Sequence, residues 1–423
     1  MVKHLLNAIN KSFIKEVGVV TVGNGIGRAF AFLSTIFLAR ILSPEEFANF
    51  SIFFTITILC SQLFSGFDSA FVRFFAREED PSSLRAFFVI KIVSIALLFT
   101  IGFGVLNLIA SYLKIEDHRL FIPISFVGSA AIILLALPMS VFQTKEKFSV
   151  YSVLLSSPLV LFFFSIIIFW HFFNSTNFGT YFYLYVLSFL LVAILTIFFI
   201  SRYLLETTHK SQTIIEIKKI FRFGKWLVLS TILYSFYQRA DILILSHFAD
   251  KDTVGIYAVA VRMVSLLSLI TLSISIISNP KVSKVKSLSG LKTYLTKSFR
   301  TFLLLLPPLS IVILLRTPLI KLFFGDKYQQ AGSIFMVLAI AYVLIMFYTP
   351  GLYSFYTLNK PYLVFIVTLV SAISLILFSY LFIPSLHYLG AAISVLGSAF
   401  TGAIITCVLV FRFWKTGDFS IDF

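Results

Sequence analysis

Charge is scarce in this sequence. Only 12% of its 423 residues are Asp, Glu, Lys or Arg, about half the share of a soluble globular protein. A soluble enzyme of this length needs a charged surface, so the shortage excludes one. With 59% hydrophobic residues, a disordered chain is excluded as well. Cysteine is almost absent. Cys60 and Cys407 both sit in apolar runs, which excludes a disulfide scaffold. The six histidines are scattered, and there is no His-x-x-x-His, no paired carboxylates in one loop and no Gly-rich phosphate loop ending in Lys-Ser/Thr. No metal, cofactor or catalytic group is therefore expected.

What the chain has instead is apolar length. A bilayer core needs roughly 20 apolar residues of helix. Twelve runs reach that length: 17–38, 48–70, 86–110, 121–142, 149–171, 181–201, 223–246, 254–278, 299–320, 332–356, 362–383 and 388–411. The first is too long for a signal-peptide core and lacks a small-residue cleavage site, so it reads as a retained span. The expected fold is an all-α integral membrane protein of about 12 transmembrane helices.

The basic excess of 34 Lys and Arg over 18 Asp and Glu would suggest nucleic acid in a soluble protein. Here its placement says otherwise. With the N-terminus inside, 23 basic residues fall in inside segments, 7 in outside segments and four within spans. That bias sets the orientation and predicts both termini in the cytoplasm, with no nucleic-acid partner. The even count divides the chain into a cytoplasmic amphipathic N-terminus (1–16), a first six-helix bundle (17–203), a cytoplasmic linker (204–222), a second bundle (223–413) and a cytoplasmic tail (414–423). An offset of 207 lays Phe47-Ala48-Asn49-Phe50 over Val254-Gly255-Ile256-Tyr257, the first outside turn of each half. The halves are therefore expected to be pseudo-symmetric about the membrane normal, around a central cavity. Three stretches, 2–15, 213–221 and 282–299, carry apolar residues at helical spacing opposite lysines and are expected to lie on anionic membrane lipid.

Ionisable residues inside spans are costly and need a reason. Asp68 and Lys91 stand near the cytoplasmic surface, where they pair, snorkel or serve ion coupling. Asp241 and Arg262 match in depth, which predicts an Asp241–Arg262 pair, with Arg239 at a similar level. Arg239 and Asp241, two apart on one helix, cannot share a face. Arg28 lies midway along the first span with no carboxylate at its depth, so it is expected to face a polar cavity. Its fork of donors suits phosphate oxygens. Arg28, Arg239, Arg262 and Lys91 are the candidate substrate-binding cations. Tyr234 and Tyr237 are candidate sugar contacts, with packing as the other role. The small residues Gly23 and Gly27 suit close helix packing. Pro123, Pro138, Pro158, Pro307, Pro308 and Pro350 are potential kink points.

Four segments carry a resemblance. They are Leu38-Ala39-Arg40-Ile41-Leu42-Ser43-Pro44-Glu45-Glu46-Phe47, Phe71-Val72-Arg73-Phe74-Phe75-Ala76, Asp241-Ile242-Leu243-Ile244-Leu245-Ser246 continuing to Val254-Gly255-Ile256-Tyr257-Ala258, and Phe324-Gly325-Asp326-Lys327-Tyr328. Together they resemble the O-antigen and teichoic-acid type polysaccharide flippases of the multidrug/oligosaccharidyl-lipid/polysaccharide (MOP) exporter superfamily. The resemblance implies a MATE-like pair of bundles and transfer of an undecaprenyl-diphosphate-linked oligosaccharide across the bacterial plasma (inner) membrane. Partners implied are that lipid-linked substrate, membrane lipids and polysaccharide assembly proteins. Coupling to an H+ or Na+ gradient through Asp68 or Asp241 stays open. A cation-coupled multidrug exporter of the same superfamily is the alternative, although its cavity tends to rely on acidic residues. A membrane polymerase or glycosyltransferase would need a large outside loop, and the outside connections are short.

Overall fold

The structure is a computed structural model. It describes residues 2–68, 70–72, 81–204, 210–283, 288–357, 360 and 362–416, with side chains left aside at 2–21, 199–204, 210–212, 268–283 and a few single positions. Among the described residues the chain is helical, with no strand. The helices are α1 (Val2–Ile41), α2 (Pro44–Gln62), α3 (Pro81–Gly104), α4 (Leu106–Tyr112), α5 (Phe121–Thr144), α6 (Phe148–Phe173), α7 (Phe178–Leu204), α8 (Lys210–Tyr237), α9 (Ala240–Phe248), α10 (Lys251–Ser283), α11 (Leu288–Leu314), α12 (Arg316–Phe324), α13 (Ala331–Thr357) and α14 (Tyr362–Thr416).

Nine segments among the described residues are long and apolar enough to cross a bilayer. The longest, Tyr362–Phe413, holds two of the expected runs. Its helix carries Pro384 and breaks at His387, where φ is 48° and ψ −123°. The chain turns there so tightly that Gly390 meets the Phe382 carbonyl, where a side chain has no room. The start of α2 shows local chemistry directly. The Ser43 Oγ accepts from the Glu46 N–H at 3.2 Å, Pro44 opens the helix, and Glu45 and Glu46 occupy its first turn. Each suits the unpaired N–H groups and positive dipole end found there.

Several expected spans are not single helices. The run 86–110 breaks at Val105 and the run 299–320 at Leu315. Each short helix that follows leads to a 3₁₀ turn, 116–118 or 326–328, and then to a long helix starting at Phe121 or Ala331. Break, turn and helix start recur 210 residues apart, so the repeat is visible in backbone form. The stretches 2–15 and 213–221 are continuous with α1 and α8, and 288–299 opens α11. Residues 284–287 lie outside the described residues.

By its contacts the chain forms two compact units, Met1–Leu42 with Phe50–Ser235, and Ser43–Asn49 with Phe236–Phe423. In the first unit, α5 packs on α2 through small residues. The Ser129 hydroxyl donates to the Thr57 carbonyl at 2.9 Å, and Gly128 faces Thr57 and Val186. Close backbone approach of this kind replaces the hydrophobic drive that lipid removes. Residues 210–222, expected as a connection, are helical and bound to this unit. Buried Glu216 accepts from the Ser83 hydroxyl at 3.0 Å and from the Lys219 ammonium at 2.6 Å. In the second unit, α13 packs along α10 and α14.

Candidate functional site

Arg28 lies midway along α1 and is exposed. Among the described residues no hydrogen bond or ion pair holds it. The packing of α1 explains where it points. Gly23 and Gly27 lie against Ser152 and Ser156 of α6, and a Cβ on Gly27 would stand 3.2 Å from the Ser156 Cα. At about 100° per residue, the remaining surface divides into two strips. Val22, Ile26 and Leu33, 62%, 45% and 44% exposed, form an apolar strip with Ala29. Half-buried Asn24 and exposed Arg28, four apart, form a polar strip on the other flank of the glycine face.

Asp68 and Lys91 form an ion pair. Lys91 is 1% exposed, with its ammonium 5.1 Å from the Phe87 ring centre. Phe71, of the second motif segment, stacks on Phe87 at 4.1 Å between ring centres. The sequence left pairing and snorkelling both open for this lysine and also counted it among the substrate cations. The structure buries it beside Phe87, itself part of a core with Phe67, Phe71 and Ile90, which removes it from the exposed cations. Arg73 of the same motif lies outside the described residues.

The seventh run also departs from expectation. It breaks at Gln238 and Arg239, between α8 and α9, so Arg239 and Asp241 do not share a continuous helix. Arg239 caps α9, with φ −140° and ψ 0°, and Asp241 sits in its first turn. The expected partner of Asp241 was Arg262. Instead the Tyr257 hydroxyl donates to the Asp241 Oδ2 at 2.5 Å. Tyr257 is fully buried. It was legible as part of a motif but missed as a partner, because the search for a partner considered only charge. Arg262 is half-buried. Tyr237 accepts from the Ser398 hydroxyl at 3.1 Å, a packing role, whereas Tyr234 is 54% exposed. Among the described residues no three His, Cys, Asp or Glu side chains come together.

Three of the four motif segments meet in one knot within the second unit. The Pro44 carbonyl rests on Gly255, where a Cβ would collide with it. Phe47 meets Tyr328 edge-on, with ring centres 6.0 Å apart. Gly325 precedes Tyr328 with φ 91°, a conformation that favours glycine. Burial, with the Asp252 carboxylate nearby, pushes the Tyr328 hydroxyl above its ordinary range, so it stays neutral. These motif residues thus pack against one another. Gly255→Ala is expected to destabilise the protein by about 1–3 kcal/mol, the usual cost of overpacking, read as a lower midpoint of thermal unfolding in detergent. Gly25→Ala, which meets no atom within 4 Å, is the matched control and is expected to leave that midpoint unchanged or raise it.

Comparison with known proteins now decides the family. The family model described as "Polysaccharide biosynthesis protein" matches residues 13–286. The chain belongs to that family. This places it in the polysaccharide branch of the MOP superfamily that its four segments resemble. A second family model, MatE, matches residues 227–381 of this polysaccharide biosynthesis protein. Capsular polysaccharide biosynthesis protein CapF of Staphylococcus aureus is 22% identical over 410 residues, covering 92% of this chain and 97% of that protein. A Shigella flexneri protein named as an O-antigen transporter is 26% identical over 179 residues, 42% of this chain. That match spans only 43% of the Shigella protein. Lipid II flippase MurJ, in an inward closed conformation, superposes with a TM-score of 0.72 at 17% identity, covering 96% of this chain and 93% of that one. That likeness shows the fold: an all-α, multi-pass membrane protein.

Proposed function

We propose that this protein is a flippase that carries an undecaprenyl-diphosphate-linked oligosaccharide across the bacterial plasma membrane by alternating access, from the cytoplasmic to the outer leaflet. The observation that carries the reading is Arg28. A permanent cation stands exposed at the middle of a spanning helix, in a polar strip with Asn24, held by no hydrogen bond or ion pair among the described residues. Facing hydrocarbon, it would be costly. Facing a polar cavity, its guanidinium presents a fork of donors to a diphosphate. Family membership and the full-length likeness to a capsular polysaccharide protein support the substrate class.

In this reading Arg239 and Arg262 are secondary cations, and Tyr234 is a sugar contact. Asp68 and Lys91 are structural. The basic bias of the sequence puts both termini in the cytoplasm. A membrane potential, negative inside, then favours outward movement of the anionic headgroup by about 2.3 kcal/mol per charge per 100 mV. The protein moves its substrate without breaking a bond in it.

A cation-coupled exporter is the second reading, favoured by the MatE match over 227–381 and by the buried Asp241–Tyr257 pair. Complementation separates the two. Expressed in a strain lacking its O-antigen or capsule flippase, the wild type is expected to restore surface polysaccharide and to leave resistance to cationic dyes unchanged. Dye resistance without restored polysaccharide would favour the exporter.

A further inference from the structure

The second unit holds a groove that the proposed transport site does not use. It lies among α11, α13 and the last turns of α14, with a volume of about 270 Å³. That is close to the lower end, about 300 Å³, of pockets that take organic ligands. Leu295 and Phe299 line it from α11, Phe347 from α13, and Thr406, Cys407 and Phe411 from α14. The rings of Phe299, Phe347 and Phe411 are 47%, 37% and 68% exposed, so the groove opens outward between aromatic walls. Within it the Thr406 hydroxyl is 1% exposed and has no hydrogen-bond partner among the described residues.

One end of this apolar groove is basic. Lys292, Leu295 and Phe299 follow at helical spacing, so exposed Lys292 continues the groove's own face of α11 toward the helix start. Exposed Arg412 follows Phe411 in the last turns of α14. Lys360 holds its ammonium 4.5 Å from the ring centre of Phe413, two residues beyond the groove wall. Hydrocarbon walls ending in a cluster of cations match one kind of molecule at this depth, a lipid with an anionic head. A soluble ligand would have to cross lipid to reach walls made by spanning helices. A zwitterionic lipid would fill the walls equally well but gain little from the cations.

We infer that this groove is a binding site for an anionic phospholipid of phosphatidylglycerol type, one chain along the phenylalanine walls and its phosphate at Lys292 and Arg412. Basic recesses between spanning helices hold anionic headgroups by this combination of hydrocarbon contact and charge. The leaflet, the cytoplasmic one, rests on the orientation proposed above. The site itself does not, and its test reads lipid occupancy rather than transport, so either can fail alone.

Cys407 supplies the probe. It is exposed on the groove wall, and in a Cys60→Ser background it is the sole thiol. The protein is placed in nanodiscs of phosphatidylcholine alone or with phosphatidylglycerol, and its reaction with N-ethylmaleimide is followed by intact mass. Phosphatidylglycerol is expected to slow alkylation of Cys407 roughly tenfold. In the double variant Lys292→Gln/Arg412→Gln, which changes only exposed positions, this protection disappears. Cys60, read in a Cys407→Ser background, shows no lipid dependence. Equal Cys407 rates in both bilayers, or protection that survives the double variant, would overturn the site. Protection by undecaprenyl phosphate but not by phosphatidylglycerol would overturn it too, by giving the groove to a prenyl lipid.

Discussion

Asp68→Asn is expected to lower the stability of the protein by about 3–5 kcal/mol, the cost of leaving a buried charge without its partner. The reason is an asymmetry in the pair. The Lys91 side chain is 2% exposed and that of Asp68 is 22% exposed. When the carboxylate is removed, the ammonium stays buried beside the Phe87 ring. When the lysine is removed, the carboxylate is near enough to solvent to recover part of its hydration. Lys91→Met should therefore cost less than Asp68→Asn. The double variant Asp68→Asn/Lys91→Met should regain most of the loss, because replacing both members of a buried pair by neutral groups is often close to neutral. Unfolding in detergent with a denaturant series gives all three values. Transport by the double variant then decides the role of Asp68. Recovery of transport together with stability makes the pair structural. Recovery of stability alone would mean that Asp68 also carries an ion.

Arg28→Ala is expected to abolish most transport while leaving stability intact, since the side chain is exposed and no described residue depends on it for a bond. Losing a hydrogen bond to a charged group costs about 1.5–3 kcal/mol, which is roughly a ten- to hundredfold loss in the rate of substrate transfer at limiting substrate. Arg28→Lys keeps the charge and loses the two-pronged geometry. It is expected to fall between the wild type and Arg28→Ala. If Arg28 served only to hold α1 in place, Arg28→Ala would lower the unfolding midpoint and Arg28→Lys would largely restore it. Gly23 and Gly27, about 100° or more round the helix from Arg28, make the close contact with α6.

The spans were legible in the sequence because apolar length is what a bilayer selects. Their interruptions were not. Gln238 and Arg239 break a run that contains no proline or glycine between Trp226 and Ala249, and the polar pair gives no breaker signal of its own. The breaks at Val105 and Leu315 do carry local signals, Gly104 just before the first and Pro318 just after the second, but only their recurrence at equal spacing shows that the break belongs to the repeat. The pairing of Asp68 with Lys91 was among the readings the sequence allowed, since depth brings them together. The Asp241–Tyr257 bond was not, because a phenol sixteen residues on looks like any aromatic in a sequence with 18 tyrosines and 51 phenylalanines. The motif segments were legible as motifs but not as a structure. Only the contacts of Pro44 with Gly255 and of Phe47 with Tyr328 show that three of them are pieces of one knot.

The central claim concerns what crosses the membrane, and transport in a defined bilayer addresses it most directly. The purified protein is reconstituted into liposomes carrying undecaprenyl-diphosphate-linked oligosaccharide. The fraction of that glycan open to a membrane-impermeant glycosidase is followed over time, with a cationic dye in parallel. The account predicts that glycan in the shielded leaflet becomes accessible only when protein is present, at a rate cut by Arg28→Ala, with no protein-dependent movement of dye. Glycan that stays shielded in the presence of folded wild-type protein, while dye is transported, would contradict it.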